Sequence, residues 1–246
     1  MNLLVDIGNS RLKWAVEQAG SIQQGAGIDY RQVNLRDELQ RAWLLLAAPR
    51  TLAIASVAAP QRMDDIVELA RSLWPALELV TPVTQAVAFG VSNAYRQPEK
   101  LGIDRWLALL AAHRHYPGRS CVVDCGTAIT VDVIDGDGRH CGGLISPGLL
   151  SMKKALAADT VALGFNPLQY GAGLADTTAA GIDNGTLLAA VGLIEAVLNR
   201  QDESCQLILS GGDAALIAAQ LQLPCIVDAE LVLKGLGLYC DAEEGV

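Results

Sequence analysis

Several kinds of segment are missing from this chain, and each absence closes off a class of function. Aromatic residues make up only 4% of it, and acidic residues outnumber basic ones 27 to 18, for a net charge of -9. With no cluster of Lys and Arg interleaved with aromatics, nucleic acid is not an expected partner, and an anionic substrate needs a local basic site. No uninterrupted apolar run reaches the length that crosses a bilayer, so no membrane partner is expected. The opening MNLLVDIGNS has no basic n-region and an acid at position 6, which points to the cytoplasm. No C-x-x-C pair occurs among the six cysteines at 121, 125, 141, 205, 225 and 240, which read as buried, reduced thiols. Cys121, Cys125, His140 and Cys141 match no zinc spacing. His113 and His115 flank Arg114 near an expected helix end and take no catalytic role. None of the lysines (13, 100, 153, 154, 234) completes a G-x-x-x-x-G-K-[ST] loop, and no G-x-G-x-x-G opens a helix, so P-loop and Rossmann chemistry are disfavoured.

What is present is a globular composition, 51% hydrophobic and 18% charged over 246 residues, enough for two modest domains. The stretch CVVDCGTAITVDVI at 121–134 joins two strand-like runs through a tight turn in which Asp124, Gly126 and Thr127 offer a carboxylate, close backbone approach and a hydroxyl. An ordinary hairpin would use the same residues, and so would a cradle for phosphate and a cation. The stretch at 6–16, DIGNSRLKWAV, repeats its pattern 118 positions earlier. The periodicity predicts strands over 2–7, 11–17 and 21–25, a helix over 34–47, a strand over 51–57, a helix over 61–74 started by Pro60, and a strand over 77–80. The second half predicts a third strand over 139–145, helices over 149–158, 178–199 and 214–221, and strands over 205–209 and 224–227. The fold class is thus α/β and duplicated, with a central mixed sheet in each half and a cleft between them. The expected division is 1–100, including an irregular linker, and 101–246. A Gly-rich loop at 159–176 is long enough to suggest function.

DIGNS at 6–10, LGIDR at 101–105, DCGTA at 124–128 and GGLISPG at 142–148, in that order and spacing, resemble the motifs of type III pantothenate kinase. That family belongs to the actin-like superfamily that includes acetate and sugar kinases, so the resemblance implies ribonuclease-H-like, actin-like ATPase domains. It implies transfer of the γ-phosphate of ATP to pantothenate, at the start of coenzyme A synthesis, with Mg2+ and a monovalent cation (K+ or NH4+). By the same resemblance the first phosphate-binding segment is Asp6, Ile7, Gly8, Asn9, Ser10, Arg11, Leu12 and Lys13, Thr127 is a second ATP contact, and Asp124 is the monovalent-cation ligand. The turn at 210–212 is where the superfamily places adenosine.

Asp104 is the candidate general base, since a carboxylate in reach of pantothenate's hydroxyl can take its proton. Its position just before a predicted helix equally suits an N-cap. Arg105 offers a fork for pantothenate's carboxylate, or a surface ion pair. Gly102 and Ile103 flank the base, and Tyr95 resembles the family's substrate-contacting tyrosine. Thr178 lines up with a threonine that contacts pantothenate, with Thr177 as the alternative. Gly143 and its neighbours are expected to line the substrate. Lys13 can face phosphate or solvent. The apolar helix over 178–199 suggests a homodimer. The competing reading is an ATP-responsive regulator on the same fold; a related sugar or acetate kinase is a third.

Overall fold

The computed structural model describes residues 1–19, 21–158, 171 and 173–243. The loop expected at 159–176 therefore lies largely outside the described residues. The chain forms two compact units, Met1–His115 with Glu230–Val246, and Tyr116–Ala229. This differs from the expected division at 100/101: residues 101–115 and 230–243 both belong with the first sheet.

The first unit opens with strands β1 (Asn2–Ile7), β2 (Arg11–Gln18) and β3 (Ser21–Asp29), then helix α1 (Leu35–Trp43), β4 (Thr51–Ser56), α2 (Pro60–Leu73) and β5 (Glu78–Val80). The sheet order is β3-β2-β1-β4-β5, with β1 parallel to β4 and antiparallel to β2. Alternation decides the faces: Leu3, Val5, Ile7, Leu12, Trp14 and Val16 share one core with Leu35, Leu39, Ile66 and Leu69 of α1 and α2. Leu4, Asp6 and Lys13 therefore project from the opposite face. Trp43 anchors α1, edge-on to Trp14 at 6.4 Å and tilted against Trp74 at 5.9 Å. Asn34 caps α1 through bonds from the amides of Arg36 and Asp37, and Pro60 begins α2 where its missing N–H costs nothing. The expected linker holds a small hairpin, β6 (Val87–Ala88) with β7 (Val91–Ser92), and a 3-10 turn, Pro98–Lys100. It leads into α3 (Ile103–His115).

The second unit repeats the plan with β8 (Ser120–Cys125), β9 (Ala128–Ile134), β10 (His140–Pro147), α4 (Leu149–Ala158), α5 (Thr178–Leu198), β11 (Gln206–Ser210), α6 (Ala214–Ala218) and β12 (Cys225–Val227). Its order, β10-β9-β8-β11-β12, matches the first sheet strand for strand. The expected gapless alignment of 6–16 with 124–134 needs one correction. Ile7 pairs with Leu12 across four turn residues, whereas Cys125 pairs with Ile129 across three. The strands that follow are thus offset by one position, and a one-residue slip would turn Leu12 out of the core. By length and composition α5 could cross a membrane. Its Leu187, Ala190, Val191 and Ile194 instead pack in the unit's core, and its buried Asp183 pairs with Lys153 of α4.

A final helix, α7 (Leu231–Glu243), returns to the first unit and packs on α3, β1 and β4, covering the face opposite α1 and α2. Gly235 makes this possible: a Cβ there would sit 2.2 Å from the carbonyl oxygen of Leu107.

Candidate active site

In the first unit, Asp6 stands at the end of β1 directly across from Lys13 of β2, so carboxylate and ammonium share a face beside the turn. The register thus puts Lys13 on the face opposite Leu12 and Trp14. The side chains of Ile7 and Leu12 are wholly buried in the apolar core, so these two residues can offer a ligand backbone groups and no more. Gly8 N–H donates to the carbonyl of Arg11 at 2.9 Å, closing the turn. The carbonyl of Gly8 accepts the hydroxyl proton of Tyr30 at 2.5 Å. Because a peptide group is planar, holding this carbonyl toward Tyr30 aims the N–H of Asn9 the opposite way. Asn9 and Arg11 are exposed, and Ser10 is half-buried.

The second unit's turn is clamped from both sides. Gly126 N–H donates to Ala128 at 3.0 Å, matching the closure at Gly8. The carbonyl of Thr127 accepts from Gly148 N–H at 3.0 Å and from the Ser151 hydroxyl at 2.8 Å. The carbonyl of Cys125 accepts from Asp213 N–H at 2.9 Å. Glycine is required at both clamps. A Cβ on Gly148 would meet the Gly126 carbonyl at 2.1 Å, and one on Gly211, whose φ is +92°, would meet that of Cys125 at 2.5 Å. Asp124, half-buried, places Oδ2 over the Gly126 backbone, and Thr127 is exposed. Asp124 and Thr127 bring a carboxylate and a hydroxyl to this turn, oxygen donors of the kind a hard cation takes.

The LGIDR corner differs from expectation in one respect. Asp104 lies inside the first turn of α3, and Gly102 supplies the helix's first carbonyl, to Trp106 N–H at 3.0 Å. Asp104 is therefore not the N-cap. Its Oδ1 accepts from Arg105 N–H at 2.8 Å and lies so close over Gly102 that a Cβ there would sit 2.6 Å from it. Arg105 is buried rather than a surface ion-pair partner, and its guanidinium donates to the Tyr95 hydroxyl at 2.8 Å. Tyr95 is held in turn by the Asn93 side chain, which accepts from its N–H at 2.9 Å and donates to the carbonyls of Gln85 and Pro98. The expected group of Tyr95, Gly102, Ile103, Asp104 and Arg105 thus comes together within one unit. On α5, Thr177 is the N-cap, accepting from Ala180 N–H at 3.3 Å, while Thr178 begins the helix and is exposed.

The profile of the family described as type III pantothenate kinase matches residues 2–200. The chain belongs to the type III pantothenate kinase family. A type III pantothenate kinase of Nitrosococcus oceani is 37% identical over 96% of this chain and 92% of its own, and one of Halorhodospira halophila is 38% identical over 96% of each. Among solved structures, a Campylobacter jejuni protein of the Baf family of transcriptional activators superposes with a TM-score of 0.62 at 20% identity, covering 99% of this chain and all of that one. The 2-hydroxyisocaproyl-CoA dehydratase activator of Clostridium difficile, with bound ADPNP, gives 0.55 at 12% identity over 100% and 97%. At those identities the likeness concerns the fold alone, and it bears out the expected α/β fold with a duplicated mixed sheet for this pantothenate kinase family member.

Other parts of the site carried no sequence signal. Tyr30, Asn93 and Ser151 act through bonds to residues two to twenty-four positions away, and no local pattern marks them. Lys153 and Asp183 form a buried pair at 2.5 Å, which a reading by helix period leaves as two unrelated charges. The thiols are less uniform than expected: Cys121, Cys125 and Cys240 are buried, Cys205 and Cys225 half-buried, and Cys141 exposed. No cluster of three or more His, Cys, Asp or Glu suited to a metal occurs among the described residues. Gly143 on β10 is exposed.

Proposed function

We propose that the protein transfers the γ-phosphate of ATP to the hydroxyl of pantothenate, giving 4'-phosphopantothenate and ADP, with Asp104 as general base. The observation that carries this is the α3 start. A carboxylate inside the first helical turn stands next to a buried guanidinium that Tyr95 orients, so proton acceptor and carboxylate receptor sit on adjacent residues. In the reaction the pantothenate oxygen bonds to phosphorus, the bond from phosphorus to the bridging oxygen of ADP breaks, and the hydroxyl proton passes to Asp104.

Arg105 pairs with the substrate's carboxylate, Tyr95, Gly102 and Ile103 shape the pocket around it, and Thr178 adds a hydroxyl. Thr178 is preferred over Thr177 because the latter's hydroxyl already caps α5. Asp6, Ser10 and Lys13, with the backbone from Ile7 to Leu12, serve the phosphates of ATP, and Thr127 provides a further contact. Asp124 holds a monovalent cation, K+ or NH4+, whose flexible coordination suits the oxygen donors of that turn. Mg2+ supplies charge neutralisation on the phosphates when bound. The protein acts in the cytoplasm as a homodimer, with α5 as the interface.

The test is Asp104→Asn. Turnover should fall about 100-fold or more, the usual worth of a general base, while ATP binding measured by calorimetry stays unchanged. Near-normal turnover would reject Asp104 as the base.

A further inference from the structure

Between α1 and α2, a cavity of about 270 Å³ lies in the first unit behind the Gly8 turn. Its apolar floor is Leu35, Leu39, Ile66 and Leu69, and its polar wall is Tyr30 and Arg62. Arg36, Asn34 and Asp65 also border it. Two of these are occupied elsewhere: Arg36 reaches Glu68 at 3.4 Å, and the Asn34 side chain caps α1. Arg62 differs. Its guanidinium carbon lies 4.0 Å above the Tyr30 ring, and its Nε is buried with no hydrogen-bond acceptor among the described residues. A buried donor left in that state calls for a partner. The edge of a guanidinium that carries Nε is one that a carboxylate engages through two parallel bonds.

We propose that this cavity is a binding site for a small aliphatic carboxylate, held by Arg62 and sensed by the phosphate turn through Tyr30. The volume, just below the usual range of about 300–1,000 Å³ for ligand pockets, admits a short-chain acid and excludes a nucleotide. The four buried aliphatic side chains suit the hydrocarbon tail, and Arg62 provides the charge that Asp65 alone would repel. Occupancy reaches the turn by a short path. A carboxylate drawing on Arg62 changes the cation above the Tyr30 ring, and the Tyr30 hydroxyl holds the carbonyl of Gly8. That carbonyl shares its plane with the Asn9 N–H, so the donor offered to phosphate moves with it. The coupling rests on the reading of this turn as an ATP contact; the binding does not.

Calorimetric titration of the full chain with hexanoate and with hexanamide, in the absence of ATP and pantothenate, separates the two. Hexanoate should bind saturably at one site and hexanamide should not, and Arg62→Gln should weaken hexanoate at least tenfold while its thermal melt stays that of a folded protein. Equal binding of the amide, no saturable binding of the acid, or an undiminished affinity in Arg62→Gln would overturn the site. Should Arg62→Gln fail to fold, a titration with saturating pantothenate decides: hexanoate held by Arg62 still binds beside pantothenate at Arg105, and its displacement would overturn the site. ATP affinity measured with and without saturating hexanoate should differ in the unmodified protein and not in Tyr30→Phe. Binding of hexanoate with no change in ATP affinity would overturn the coupling and leave the kinase reading untouched.

Discussion

At the scale of single residues, the main chain of both turns is held by side chains from outside the turn motifs. Ser151 is a clear case: its hydroxyl and the Gly148 amide together hold the Thr127 carbonyl. Ser151→Ala leaves the amide bond in place, so a loss of about 1 kcal/mol in stability is expected, with a several-fold rise in KM for ATP and little change in kcat. Steady-state kinetics with ATP varied would show it; an unchanged KM would make Ser151 merely structural. The motif residues were legible because their chemistry is local: Asp-x-Gly-polar turns and the Asp-Arg pair can be seen in a few consecutive letters. Asp104 was legible as a carboxylate of interest, but its exact place was not. The helix starts at Ile103, ahead of Asp104 rather than after it, which moves Asp104 from the cap position into the first turn. Tyr30 was illegible, since its bond to Gly8 spans the hairpin of β2 and β3 and leaves no periodic mark.

At the scale of elements, the sheet strands and most helices follow from alternation and helical spacing, and the two-residue strands β6 and β7 do not, being too short to show either. The helix α7 escaped for another reason. Gly235 and Gly237 interrupt its apolar pattern and read as breakers, whereas in the fold they are where the helix approaches Leu107 and Glu17. This contrast is testable on glycines of two helices. Gly235→Ala places a Cβ 2.2 Å from the Leu107 carbonyl, so α7 must shift, at a cost of about 1–3 kcal/mol or more. Gly181→Ala on the exposed side of α5 meets nothing within 4 Å and should be neutral or stabilising by up to about 1 kcal/mol. Urea unfolding of both variants checks the pair, and equal effects would mean that α7 does not pack as described.

At the scale of the whole molecule, buried thiols set its response to alkali. Burial pushes Cys121 from its ordinary 9.0 up to about 12, with minor contributions from Cys205 and Asp132, and burial likewise raises Cys125. The unfolded chain releases these protons near pH 9 and the folded chain retains them, so the unfolded state binds fewer protons and stability falls as pH rises. The contribution is intact below pH 9 and declines toward pH 12, at about 1.4 kcal/mol per pH unit for each such thiol. Urea midpoints at about pH 8 and about pH 10 should drop accordingly, and Cys121→Ala should reduce the drop. The division of the chain has its own effect on how the molecule is made. Because Tyr116–Ala229 interrupts the first unit, the sheet formed by the earliest residues keeps one apolar face open until α7 has left the ribosome. The second unit, contiguous in the chain, can therefore be completed first, and the unit synthesised earliest is the last to close.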